Sequence, residues 1–361
     1  METVVSKPSA RNAGLDILRV LACYMVVQIH TGEFFYITPE GGVLNGPGSF
    51  WVAIYNSLFR CAVLLFVMIS GYFLFPVKDN LPAFFRKRFS RVLIPFIIWC
   101  IIYAFYQYLR GNAGIVATFT NILHIPLNYG TQVGHLWYVY MLLGIYLFAP
   151  VISPWLQSAP KSQIQFYLII WAVSLCLPYI HQIYPEVWGE CFWNKTPMLY
   201  YFSGMLGFAV LGYYLKRFHA QKSKTDYPVG AILVILGYAV TAYVFASRLK
   251  TAQSIPELEL SWGYDAINVA MLALGYFLIF KNLKYRNPEG WCAHLSEDIA
   301  LKSYGIYLVH IIILNTTYGL MLSWITGREY LFPAMSVITF ICSYLVIRLL
   351  SYIPGHKYVI G

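Results

Sequence analysis

"RNAGLDILRVLACYMVVQIHTGEFF", residues 11–35, is the stretch on which the reading of this chain turns. It is apolar over about 20 residues, long enough for a helix to cross roughly 30 Å of hydrocarbon. Yet it carries Asp16, Arg19, His30 and Glu33. A spanning helix with a purely structural task avoids such groups, because each charge at the bilayer centre costs about 3 kcal/mol or more.

The remainder of the chain supports a membrane reading. Of its 361 residues, 59% are hydrophobic and 11% charged, with a mean hydropathy of +0.60. That is more apolar surface than one water-soluble core can hide. Apolar runs of about 18–24 residues recur without the two-residue alternation of barrel strands, so the spans are helices. Candidates lie at 15–35, 52–75, 92–110, 135–156, 164–181, 197–215, 229–247, 263–280, 302–322 and 331–353. The pattern predicts an all-α integral membrane protein of about ten transmembrane helices. One membrane domain, 15–353, stands between tails at 1–14 and 354–361, with no soluble domain, internal repeat or low-complexity segment visible.

The net charge of +10 is not a nucleic-acid footprint, because Lys and Arg lie between apolar runs rather than in a basic domain. They concentrate in alternate loops, 76–91, 157–163, 216–228 and 281–301, which are expected in the cytoplasm together with both termini. The other loops are rich in Gly, Pro and aromatic residues and are expected to face outward; the 111–133 loop is long enough for a short surface helix. The seven cysteines show no C-x-x-C spacing, and all but Cys191 and Cys292 fall in apolar runs, so no disulfide framework or metal site is implied. The first run follows Lys7 and Arg11 but lacks a small-residue cleavage site, which predicts a retained span.

Asp16 and Arg19 are three residues apart and share a helix face, either as an interfacial ion pair or as part of a ligand site. His30 lies about 16 Å further along the axis, and Glu33 falls one turn beyond it. An imidazole with a carboxylate at i+3 has the parts of a general base and its orienting partner. The alternative is a histidine bonded between helices with Glu33 snorkelling outward. Arg60 interrupts the second span and should face the bundle interior, with Glu33 as its first candidate partner. His310 lies in the ninth span, and Asp265 near the start of the eighth suits a structural role. "FFRKRFSRVLIP" puts Arg86, Lys87, Arg88 and Arg91 at the start of the third span, as an orientation signal or a phosphate clamp. A clamp at one end and a base deeper in the bundle suit a substrate with a charged head and a long reactive arm, the shape of coenzyme A.

Six motifs resemble the membrane-bound acyltransferase family 3, in family order. They are "LDILRVLACYMVVQIH", "FVMISGYF", "FFRKRFSRVLIP", "HLWYVYMLLGIYLFAP", "YFSGMLGFAVLGYYL" and "SYGIYLVH", and together they run from residue 15 to 310. The resemblance implies a ten-helix protein of the bacterial cytoplasmic membrane that moves an acyl group, usually acetyl from cytoplasmic acetyl-CoA, to a hydroxyl of a cell-surface glycan precursor. It matches the family histidine to His30 and the family's basic cluster to Arg86, Arg88 and Arg91. The compact chain looks most like the subgroup that O-acetylates enterobacterial common antigen or related polysaccharides.

On this reading His30, Glu33 and Asp16 are catalytic candidates. Arg19, Arg86, Lys87, Arg88 and Arg91 hold acetyl-CoA, and Arg60, His135, Trp137, Tyr138 and His310 meet the acceptor. His30 either deprotonates the sugar hydroxyl or first accepts the acetyl group. His135, Trp137 and Tyr138 serve equally as interfacial anchors. The expected partners are acetyl-CoA, a lipid-linked or surface glycan and membrane lipids; no metal or nucleic acid is expected, and no oligomeric state is implied. The alternative is a transporter or flippase of a glycan or acylated lipid using His30 and Arg60, against which no paired broken helices are visible. A sensor or scaffold leaves the intramembrane charges unexplained. No G-x-S-x-G, H-E-x-x-H or G-x-x-x-x-G-K-[ST] motif is present.

Overall fold

Asn12 starts the first helix. Its side chain accepts the Leu15 N–H at 3.1 Å, relieving one of the donors left open at a helix start, and the helix runs Ala13–Glu33. The computed structural model describes residues 12–187, 189–191, 194–197, 199 and 202–361. Lys7 and Arg11 of the tail lie outside the described residues.

The described residues are all-α apart from a small antiparallel hairpin pairing Gly189–Cys191 with Asn194–Pro197 and an isolated bridge between Ile37 and Val43. Among the described residues, nine helical segments are long and apolar enough to cross a membrane. The sixth predicted span, 197–215, is represented by Met205–Phe218, whose 14 residues rise about 21 Å, less than the hydrocarbon thickness. This helix packs closely on Ala62–Leu74: a Cβ on Gly71 would lie 2.0 Å from the Ala209 carbonyl oxygen, and one on Gly212 2.0 Å from that of Met68. Only glycine allows these backbones to approach so closely.

Two predicted spans are broken. The second is a pair of helices, Pro47–Ser57 and Ala62–Leu74, and Arg60 sits in the turn between them. The fifth is likewise Lys161–Ser174 followed by Leu177–Ile183. Non-helical backbone within a bundle is tolerated where protein surrounds it or a cavity hydrates it, and Arg60 lines such cavities. The ninth predicted span is instead the end of one 35-residue helix, Trp291–Ile325. The 111–133 loop does contain a short helix, Ile115–Leu123, with Val116, Phe119 and Leu123 exposed along it.

The first helix occupies the centre, packed against Trp291–Ile325, Phe332–Leu350, Ala62–Leu74 and Ile267–Phe280. The periphery has the opposite character: Leu147, Phe148 and Val151 are exposed on Trp137–Ser158, and Phe166, Ile169 and Val173 on Lys161–Ser174. An apolar exterior around a core that contains Gln28, Asn56 and His310 is the arrangement a bilayer solvent selects.

Candidate active site

Gln28 and Asn56 set the position of the first helix at the depth where chemistry is expected. The Gln28 amide donates to Asn56 Oδ1 at 3.2 Å, and Asn56 Nδ2 donates to the Ile29 carbonyl at 3.0 Å. Both side chains are fully buried, so breaking this clasp leaves desolvated polar groups without partners. Two residues beyond Gln28 is His30. Its Nδ1 lies 2.9 Å from Glu33 Oε1. A carboxylate only accepts, so Nδ1 carries the proton and the neutral ring keeps its lone pair on Nε2.

Two further imidazoles converge on His30. The rings of His310 and His135 have centroids 5.2 and 6.2 Å from that of His30, and 4.9 Å from each other. His310 Nδ1 lies 2.6 Å from the Tyr307 carbonyl and must donate to it, which leaves its buried Nε2 a bare acceptor. His135 is held through its backbone, where the Tyr307 hydroxyl donates to its carbonyl oxygen. Both of its ring nitrogens are buried without a hydrogen-bond partner. Among the described residues no group of three His, Cys, Asp or Glu side chains is arranged to hold a metal ion.

Two cavities meet at this cluster. On the side of the basic loops, a smaller chamber of about 180 Å³ runs past Val26, Tyr138, Tyr146, Ser303 and Tyr304. On the opposite side, a vestibule of about 920 Å³ contains Glu33, Arg60 and Glu259 with the aromatic rings of Phe34 and Tyr318. His30, His135, Trp137 and Tyr264 line both. The Trp137 and Tyr264 ring centroids are 5.4 Å apart, so they form an aromatic pair beside the junction.

A third cavity, of about 490 Å³, opens at the basic face and is lined by Lys78, Lys87, Arg88 and Lys216. Arg88 stands between this cavity and the chamber: it lines the one, and its guanidinium lies 5.9 Å from the ring of Tyr146, which lines the other. Arg86 and Arg91 are exposed and line neither space. Successive helical residues project about 100° apart, so four cations within six positions cannot share one direction. Asp16 and Arg19 are 3.8 Å apart at the basic end of the first helix. Asp16 lines a separate cavity there with Lys281 and Lys284, away from the His30 junction. Arg19 lies 5.9 Å from the Phe73 ring. Tyr138 lines only the chamber, and His310 stands behind the walls of both cavities.

Arg60 does not take Glu33 as its partner. Glu33 bonds His30, and the turn after Ile255–Leu258 brings Glu259 to Arg60, with Oε2 3.6 Å from Nη2. The guanidinium also lies over the rings of Trp262 and Tyr264, at 4.7 and 5.9 Å. The Tyr36 hydroxyl donates to Glu259 Oε1. Burial, then the Glu259 and Glu33 carboxylates, push this phenol well above its ordinary range, so it remains a donor. Asp265 is exposed and lines a side cavity of about 530 Å³ that shares Arg60, Glu259 and Tyr264 with the vestibule. Sequence reasoning missed Glu259 and Tyr264, which sit in a stretch without periodicity. It also missed Gln28 and Asn56, which were visible as amides inside apolar runs.

The family model described as an acyltransferase domain matches residues 12–352. A relative named serine/alanine racemase, from Enterococcus gallinarum, is 31% identical over 137 residues. That match covers 36% of this chain and 18% of the relative, so the chain spans under a fifth of that protein's length. No solved structure matches.

Proposed function

The chain belongs to the acyltransferase 3 family and is a multi-pass membrane acyltransferase, and from that premise we propose that it moves acetyl from acetyl-CoA to a hydroxyl of a cell-surface polysaccharide or its lipid-linked precursor. One observation carries the reading: the His30 imidazole, oriented by Glu33, lines both the chamber on the side of the basic face and the vestibule on the other side, with His135 beside it. Two substrates approaching from opposite faces meet at that ring.

In this mechanism the basic face is cytoplasmic, as the loop charges favour for a bacterial inner-membrane protein. The phosphates of acetyl-CoA bind at Arg88 with Lys78, Lys87 and Lys216, where guanidinium and ammonium groups suit phosphate oxygens. Arg19, Arg86 and Arg91 add to the positive field around the mouth. The thioester arm passes Tyr146 into the chamber. A hydroxyl of the acceptor, seated in the vestibule beside Trp137 and Tyr264, gives its proton to His30 Nε2 as its oxygen attacks the thioester carbonyl. Glu33 holds the ring and stabilises the imidazolium that forms. The C–S bond breaks, the leaving thiolate takes the proton back from His30, and the products are an O-acetyl ester and free coenzyme A.

The test is thioester cleavage. Purified protein in liposomes containing extracted membrane glycans should release coenzyme A from acetyl-CoA, and His30→Ala should lower the rate at least about 100-fold. Equal release by both proteins contradicts the role of His30. Glycan movement across the bilayer without any thioester cleavage makes the transporter reading the correct one.

A further inference from the structure

The vestibule has an unusual charge balance for a protein with a net charge of +10. Its fixed charges among the described residues are Glu33, Glu259 and Arg60. The adjoining side cavity adds Glu257, Asp265 and Arg248. Four carboxylates therefore face two guanidinium groups on this side, whereas the cavity at the opposite end holds Lys78, Lys87, Arg88 and Lys216 with Asp79 as its one acid. The sign of the summed lining charge therefore differs between the two sides of the His30 junction.

Arg60 does not reverse this. Its charge is balanced by Glu259 at 3.6 Å, and its guanidinium is packed over Trp262 and Tyr264. It nevertheless retains a donor: the residue is 7% exposed and its Nε–H is buried without a partner. A paired guanidinium with one free N–H, beside a carboxylate that can still accept, matches the donor and acceptor of a hydroxyl group. It does not match an anion, which would sit against Glu259 and Glu33.

Taking the proposed acetyl transfer as the frame, we propose that the Arg60–Glu259 pair reads hydroxyl groups of the acceptor, and that Glu259 excludes acceptors with an anionic group next to the reacting hydroxyl. The acceptor class is thus a neutral sugar rather than a uronate, sialate or phosphosugar. The charge balance of the reaction agrees. Proton transfer to His30 leaves the total unchanged, so Glu33, Glu259, Arg60 and the reacting pair carry minus one with a neutral acceptor and minus two with an anionic one, and the added charge is repelled by both carboxylates.

The test does not require the natural acceptor. Leu44 lines the vestibule and is 40% exposed, so Leu44→Cys, with Cys176→Ser, Cys191→Ser, Cys292→Ser and Cys342→Ser to clear the background, places a thiol there. Its rates with methanethiosulfonates bearing an ammonium or a sulfonate are compared with those of a free thiol in the same buffer. The cationic reagent should be favoured by at least about threefold over the free-thiol ratio. Hexyl β-glucoside below its micellar concentration should protect the thiol from methyl methanethiosulfonate, and hexyl β-glucuronide should not. In Glu259→Gln the uncompensated Arg60 should give the glucuronide roughly tenfold more protection. An unchanged or inverted reagent ratio overturns the proposal, as does equal protection by the two glycosides, including none by either. Both of those comparisons use protein with Glu259 intact, so they decide the matter even where Glu259→Gln folds poorly. His30-dependent thioester cleavage in the same preparation separates the two failures: cleavage retained with equal protection removes the charge selectivity alone, and cleavage lost removes the transfer reading beneath it.

Discussion

Glu33→Gln probes the orientation of the base with little change of shape. The amide oxygen can still accept the His30 Nδ1 proton, so the 2.9 Å contact is kept in kind, and only the negative charge beside the developing imidazolium is lost. Two unit charges about 4 Å apart interact by roughly 4 kcal/mol at an effective dielectric constant of 20. The Glu33 side chain is 39% exposed, and screening by solvent reduces that to about 1–2 kcal/mol. Since each ~1.4 kcal/mol in the barrier is tenfold in rate, kcat should fall about tenfold. The KM for acetyl-CoA should hold, because Glu33 lines the vestibule and not the chamber or the Arg88 cavity. Glu33→Ala, which also removes the acceptor, should fall further. The assay is acetyl transfer from labelled acetyl-CoA at saturating glycan over a range of acetyl-CoA concentrations. An unchanged kcat, or a loss confined to the KM for acetyl-CoA, refutes the orienting role.

Other substitutions test the donor side and the packing. Arg88→Gln should raise the KM for acetyl-CoA about tenfold or more with a smaller change in kcat, whereas Arg86→Gln, on an exposed face away from the cavity, should change it less than about threefold. Steady-state kinetics at low and moderate salt decide. Asn56→Leu breaks both buried bonds of the clasp and should lower stability by about 1–3 kcal/mol, seen as a lower melting temperature in detergent. Gly71→Ala forces a methyl to within 2.0 Å of the Ala209 carbonyl and should destabilise by about 1–3 kcal/mol. Gly144→Ala, with nothing within 4 Å of the new carbon, should be neutral or mildly stabilising in the same melt.

The class of the fold was legible because lipid imposes it: apolar runs of spanning length leave the backbone no option but helices. The His30–Glu33 contact was legible for a similar reason, since residues three apart on one helix are neighbours whatever surrounds them. The breaks were hidden. The run from Trp51 to Phe75 is continuously apolar apart from Asn56, Ser57, Arg60, Ser70 and Gly71, and no proline announces the turn at residues 58–61. The same limit applied to Arg60. Its partner comes from a loop about 200 residues later, and pairings at that distance follow from tertiary packing, which local periodicity does not encode. His135 and His310 were visible as candidates, but the closeness of three imidazoles from three parts of the chain depends on how the 103, 135 and 307 regions interlock through the Tyr103 and Tyr307 hydroxyls. The division of the basic run was hidden as well: helical projection spreads it around the axis, so Lys87 and Arg88 line the cavity while Arg86 and Arg91 are exposed outside it.

Whether His30 joins donor to acceptor is decided by transfer of labelled acetyl from acetyl-CoA into membrane glycans, comparing wild type with His30→Ala at matched expression. Incorporation by wild type that falls to background in His30→Ala, with both proteins equally folded, is the predicted result. Equal incorporation by the two proteins contradicts the assignment of His30 as the group at which the two substrates meet.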